Sequence, residues 1–169
     1  NERLAKIEGD LDGKQAQVTL VEFLRANLSF TVELISGIQL APFQEILLKG
    51  MLNRNYSMFV LARGAGKSFL AAIYCFLECI FNPGSKILIA GPTFRTSRFI
   101  FNKLEEIVDS KGARLLADCF GLKSKRNDQF EWKINGGSVV AIPLNGEKIR
   151  GFRASILLLD EFNWIDANM

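Results

Sequence analysis

The stretch "FVLARGAGKSFLAA", Phe59 to Ala72, carries the reading of the whole chain. Its tail, Gly66-Lys67-Ser68, closes the way a phosphate-binding loop closes. Such a loop needs a strand to launch it, small residues that let backbone N–H groups approach an anion, and a helix whose N-terminal dipole faces that anion. Here an apolar run precedes the turn, Gly64, Ala65 and Gly66 form it, and a nearly all-apolar helical run follows. Lys67 is placed to reach the β and γ phosphates and the Ser68 hydroxyl to bind Mg²⁺, so the expected ligands are ATP and Mg²⁺. The usual GxxxxGK[ST] pattern asks for glycine where Leu61 stands. The residues alone therefore also allow a glycine-rich strand-to-helix turn with a surface lysine.

Outward from this stretch, short apolar runs alternate with helical ones. "SMFVLA" predicts a strand, Lys67 to Phe81 a helix, and "KILIA" at 86–90 a second strand after the Asn82-Pro83-Gly84 break. Runs that are apolar at consecutive positions suit parallel strands covered on both faces, which makes the fold class α/β with a mostly parallel sheet. A helix is predicted over about Thr96 to Ser110. "FEWKI" and "SVVAI" flank Asn135-Gly136-Gly137, a composition that predicts a β-hairpin. The last apolar run, "SILLL", predicts a central strand ending at Asp160-Glu161. Upstream, "LVEFLRANLSFTVELI" repeats apolar residues at helical spacing, and Pro42 suits the first turn of a second helix through "FQEILLKGMLN". The division expected is a helical lead-in over 1–55 and the nucleotide-binding core over 56–169.

The 169 residues, 49% hydrophobic and 23% charged, describe one globular domain, and a net charge of +3 is too small to name a partner. Histidine is absent, which removes histidine bases, histidine metal ligands and Ser-His triads. Cys75, Cys79 and Cys119 lack CxxC spacing and read as core thiols. No apolar run reaches a membrane-spanning length, and no secretory signal is visible in "NERLAKIEGD". The sequence starts without Met and stops at "NWIDANM", just past a strand signal, and so reads as a piece of a longer protein.

A metal bound by Ser68 needs a further acidic partner, and ligands gather at the carboxyl ends of parallel strands. "ILLLDE" supplies one: Asp160 to hold Mg²⁺ and Glu161 to orient and deprotonate water. A carboxylate placed to activate water favours hydrolysis over phosphoryl transfer to another acceptor. Arg63, inside the loop, either supplies charge at the γ phosphate or faces solvent. Arg150, in "GEKIRGFRAS", reads as a phosphate or nucleic-acid contact or as a solvated charge, the latter favoured by the residues alone. From Phe81 to Asp128 nine Lys or Arg face five Asp or Glu, so "GLKSKRNDQ", with Lys123, Lys125 and Arg126, reads as a solvated loop or a phosphate-facing patch.

Four stretches, "LAPFQEILL", "LARGAGKS", "KILIAGPTFRTSR" and "IRGFRASILLLDE", together resemble the N-terminal ATPase domain of a tailed-phage or herpesvirus-type terminase large subunit. An arginine-bearing phosphate loop without the leading glycine is a habit of that family. The resemblance implies a RecA-like P-loop NTPase fold and hydrolysis of ATP to drive double-stranded DNA into a procapsid. It assigns Gln44 to the adenine, with Phe43 near the base; Gly64, Ala65, Gly66, Lys67 and Ser68 to the phosphates; Ser68 and Asp160 to Mg²⁺. It also makes Glu161 and Arg63 catalytic, and Arg150 a reach into a neighbouring subunit's site. Portal protein, small terminase subunit and a homo-oligomeric ring are the implied partners, in host cytoplasm on the procapsid. A lid and a nuclease domain are implied beyond these residues. A helicase-like DNA-dependent ATPase shares the glutamine, the "GPTFRTSR" stretch and the acidic pair. A nucleotide-binding assembly module without turnover is the other alternative.

Overall fold

The computed structural model describes residues 13–119, 124–126, 130–144 and 151–161. Three helices lead: α1 (Gly13–Ala26), α2 (Leu28–Ser36) and α3 (Pro42–Asn53). Then come α4 (Lys67–Phe81), β1 (Lys86–Gly91), α5 (Phe94–Val108), α6 (Lys111–Cys119), β2 (Ser124–Arg126), β3 (Glu131–Ile134), β4 (Gly137–Pro143) and β5 (Ile156–Leu159).

A helix that is apolar on every side must lie inside the molecule, and α4 does: every residue from Leu70 to Phe81 is buried. The amphipathic α5 buries only one stripe, Ile100, Phe101, Leu104, Ile107 and Val108, and starts where the Thr93 hydroxyl accepts from the Thr96 N–H at 3.3 Å.

The sheet order is β2-β3-β4-β1-β5, with β1 parallel to both β4 and β5, and β3 and β2 added antiparallel. The expected hairpin is there. Asn135 and Gly136 sit at φ 50° and 73°, the left-handed pair of a two-residue type I′ turn, and β3 and β4 run on either side. Alternation along β1 explains its unbroken apolar run. Ile87 and Ile89 join Val139 and Ala141 in the main core, while Leu88 and Ala90 meet Ile142 on the opposite face. On that second face Leu157 and Leu159, in register with Leu88 and Ala90, remain 52% and 44% exposed.

One core runs from the leading helices into the sheet. Leu24, Leu28, Val32, Ile35 and Leu48 belong to the same buried cluster as α4 and β1. Where α2 meets α6 the backbones nearly touch. A Cβ on Gly112 would run into the Leu34 carbonyl, and Ser110 donates to the Ile35 carbonyl.

Five expectations need correction. "SILLL" is not a central strand: among the described residues β5 lies at the edge of the sheet and pairs with β1 alone. "SMFVLA" forms no strand: Ser57 Oγ donates to the Gly50 carbonyl at 3.5 Å and the Phe59 ring approaches Gly50, so this segment leans on α3. A strand exists only through a ladder, and among the described residues nothing pairs with the outer edge of β5. The first predicted helix is two helices, broken at Asn27, whose φ of −118° and ψ of 58° are not helical. Part of the expected loop "GLKSKRNDQ" is the strand β2, with Lys125 opposite Lys133; Lys123 lies outside the described residues. Of the thiols, Cys75 and Cys79 are buried but Cys119, the last residue of α6, is exposed. Burial pushes the Cys75 and Cys79 thiols up, Cys79 to about 12, which keeps both protonated and unreactive.

Candidate active site

The loop from Ala62 to Gly66 turns through two left-handed glycines, Gly64 at φ 85° and Gly66 at φ 82°. Only glycine takes these angles without steric penalty, so the tight turn is a direct product of the sequence. Gly66 is the residue before α4, and its carbonyl accepts the first helical bond, from Leu70 N–H at 2.9 Å. Lys67 and Ser68 therefore stand on the first turn of α4, where free N–H groups and the helix dipole favour an anion. The Lys67 ammonium folds back over the loop and donates to the carbonyls of Leu61 and Ala62, each at 3.2 Å. Leu61, the departure from the usual pattern, thus takes part through its backbone carbonyl.

Gln44 reaches the loop from the first turn of α3. Its amide Nε2 donates to the Ala65 carbonyl at 3.1 Å and its Oε1 accepts from Ala41 N–H at 3.0 Å. The sequence carries the second half of this arrangement. A glutamine three residues after a helix start is the reach-back position of a capping box, and Ala41-Pro42-Phe43-Gln44 has that spacing. Its bond to the loop had no sequence signal.

At the far end of β5, Asp160 N–H donates to the Ala90 carbonyl at 2.9 Å, which holds the acidic pair beside the end of β1. Burial first, and then the negative charge of Glu161, raise the Asp160 carboxyl above the usual range, while a hydrogen bond from the Glu161 backbone and, less, the Lys67 charge pull it back down. Glu161 is exposed and left-handed at φ 51°, an uncommon and strained conformation for a residue with a side chain.

Residues 58–169, two thirds of the chain, match the family described as "Terminase large subunit, T4likevirus-type, N-terminal". The chain belongs to the terminase large-subunit family. Among solved structures, the large terminase ATPase domain of Thermus phage P74-26 superposes with a TM-score of 0.63 at 18% identity. That alignment covers 80% of this terminase chain and 58% of the phage domain, and at this identity it speaks for the fold. A comparison with curated protein sequences finds no match.

Within this terminase chain the structure brings Gln44, the glycine loop and Lys67 together. Phe43 is 46% exposed. Arg63 is exposed and pairs with no acid among the described residues. Arg150 lies outside the described residues. The donor set suits Mg²⁺: a Ser68 hydroxyl on α4 and a desolvated Asp160 carboxylate repelled by Glu161 are hard oxygen donors in need of a cation. No cluster of three His, Cys, Asp or Glu that could hold an ion exists among the described residues. No helix among the described residues is long and apolar enough to cross a membrane.

Proposed function

We propose that this chain hydrolyses ATP and that the hydrolysis powers movement of double-stranded DNA into a procapsid. The observation that carries the reading is the placement of Asp160 and Glu161 at the carboxyl end of β5, held beside the end of β1 by the bond from Asp160 N–H to the Ala90 carbonyl. Backbone N–H groups of Gly64, Ala65, Gly66 and Lys67 bind the phosphates and the Lys67 ammonium leaves its loop carbonyls to join them. Ser68 and Asp160 would hold Mg²⁺, which would supply positive charge to offset the negative charge of the phosphates. Glu161 orients the attacking water and accepts its proton, and Arg63, free of any acid partner among the described residues, supplies charge to the γ phosphate. Gln44 and Phe43 meet the adenine, and Arg150 acts on a neighbouring subunit's site. The same reading makes DNA, portal protein, small terminase subunit and a ring of copies the partners, in host cytoplasm on the procapsid.

The test is Glu161→Ala in the full-length protein. Steady-state phosphate release is expected to fall by about 100-fold or more, the scale of losing a general base, while ATP still binds. Turnover equal to wild type would sink the hydrolytic assignment and favour a nucleotide-binding assembly role.

A further inference from the structure

We propose that Gln44 is a positioning residue for the phosphate loop, separate from any contact it makes with a base. The inference rests on the nucleotide-site reading and adds a role for one of its residues. Its amide is committed at both ends, Oε1 to Ala41 N–H and Nε2 to the Ala65 carbonyl, so the side chain is a strut between the start of α3 and the loop. The Ala65 carbonyl shares a peptide plane with the Gly66 N–H, and in a trans peptide the two point in opposite directions. Holding the carbonyl on the Gln44 side therefore turns the Gly66 N–H away from Gln44 and fixes an amide of the anion-binding turn. The fit is tight: a Cβ on Gly66 would stand 2.8 Å from Gln44 Nε2. A primary amide has two hydrogens and two lone pairs, and one of each is used here. The remaining hydrogen and lone pair are enough to read a base edge, so the two roles coexist and separate by experiment.

Three probes with Mg²⁺ make the separation: ATP, GTP and inorganic tripolyphosphate, which has no base. Gln44→Glu keeps the acceptor for Ala41 N–H and sets a carboxylate oxygen against the Ala65 carbonyl. Gln44→Ala leaves that carbonyl without its side-chain donor. In full-length protein, Gln44→Glu is expected to weaken tripolyphosphate by about tenfold, the scale of one lost hydrogen bond with added repulsion, and ATP by at least that factor because its base contact is lost as well. Gln44→Ala should weaken all three by less. The Gly66 amide resonance should move in both variants before any ligand is added, a signature that base contact alone would not produce. Unchanged tripolyphosphate affinity in both variants, with ATP weakened, would overturn the proposal and leave Gln44 a base contact only. Wild-type protein that binds none of the three would overturn the nucleotide-site reading and this proposal together.

Discussion

At the scale of single residues, the site concentrates cost where chemistry is expected. Glu161 combines a left-handed backbone with a negative charge beside the desolvated Asp160. Both features oppose folding, so the residue proposed as the general base should stabilise least. Glu161→Gln removes the charge and keeps the strained backbone, whereas Glu161→Asn removes the charge and places a residue that tolerates left-handed angles. The expected order of stability in denaturant is Asn above Gln above wild type, with the Asn-to-Gln step up to about 1 kcal/mol. Hydrolysis should be lost in both. Equal midpoints for Asn and Gln would mean that the φ of 51° carries no strain. The residues of the loop were legible in sequence because glycine, lysine and serine at that spacing have few other uses. Gln44's bond to Ala65 was not, because spacing reports a helix start and says nothing about a loop 21 positions away.

At the scale of elements, the sequence was most reliable where local chemistry decides alone. Asn135-Gly136 dictates a type I′ turn whatever surrounds it, and a nearly all-apolar α4 can only be interior. It was least reliable where a partner decides. "SMFVLA" has strand composition, yet without a ladder on the outer edge of β5 its Tyr56, Met58 and Val60 flank stays 93%, 70% and 87% exposed. The same dependence on partners governs the junction of hairpin and β1. Ser138 N–H donates to the Ser85 carbonyl at 3.0 Å, and a Cβ on Gly137 would collide with that carbonyl. Gly137→Ala must therefore move β4 away from the strand it pairs with. A loss of about 2 kcal/mol or more is expected, since overpacked sites against backbone relax poorly. Gly136→Ala meets open space and should cost only its left-handed angle, about 1–2 kcal/mol. Denaturant midpoints that rank Gly136→Ala as the worse variant would contradict this account of how the hairpin joins the sheet.

At the scale of the whole molecule, the proposed nucleotide site is built from segments that fold together. α3 supplies Gln44, α4 begins at the loop, β5 delivers Asp160, and Leu48, Leu77 and Ile89 from α3, α4 and β1 share one buried core. A ligand held across these elements must stabilise all of them, because binding to the native state adds to the global unfolding free energy. At a concentration 100 times its dissociation constant, a slowly hydrolysed ATP analogue with Mg²⁺ should add about 2.7 kcal/mol. For a chain of this size that raises the melting temperature by about 5–10 °C. Lys67→Ala separates the site from the scaffold. Without ligand it removes two bonds made by an exposed ammonium to Leu61 and Ala62, so the melting temperature should stay within about 2 °C of wild type. With ligand, the variant should lose most of the shift, since the lysine that now satisfies loop carbonyls is the one that moves onto the phosphates. Thermal denaturation with and without the analogue gives all four values. A Lys67→Ala protein that gains as much as wild type would mean that the loop does not hold the triphosphate, whatever its resemblance to loops that do.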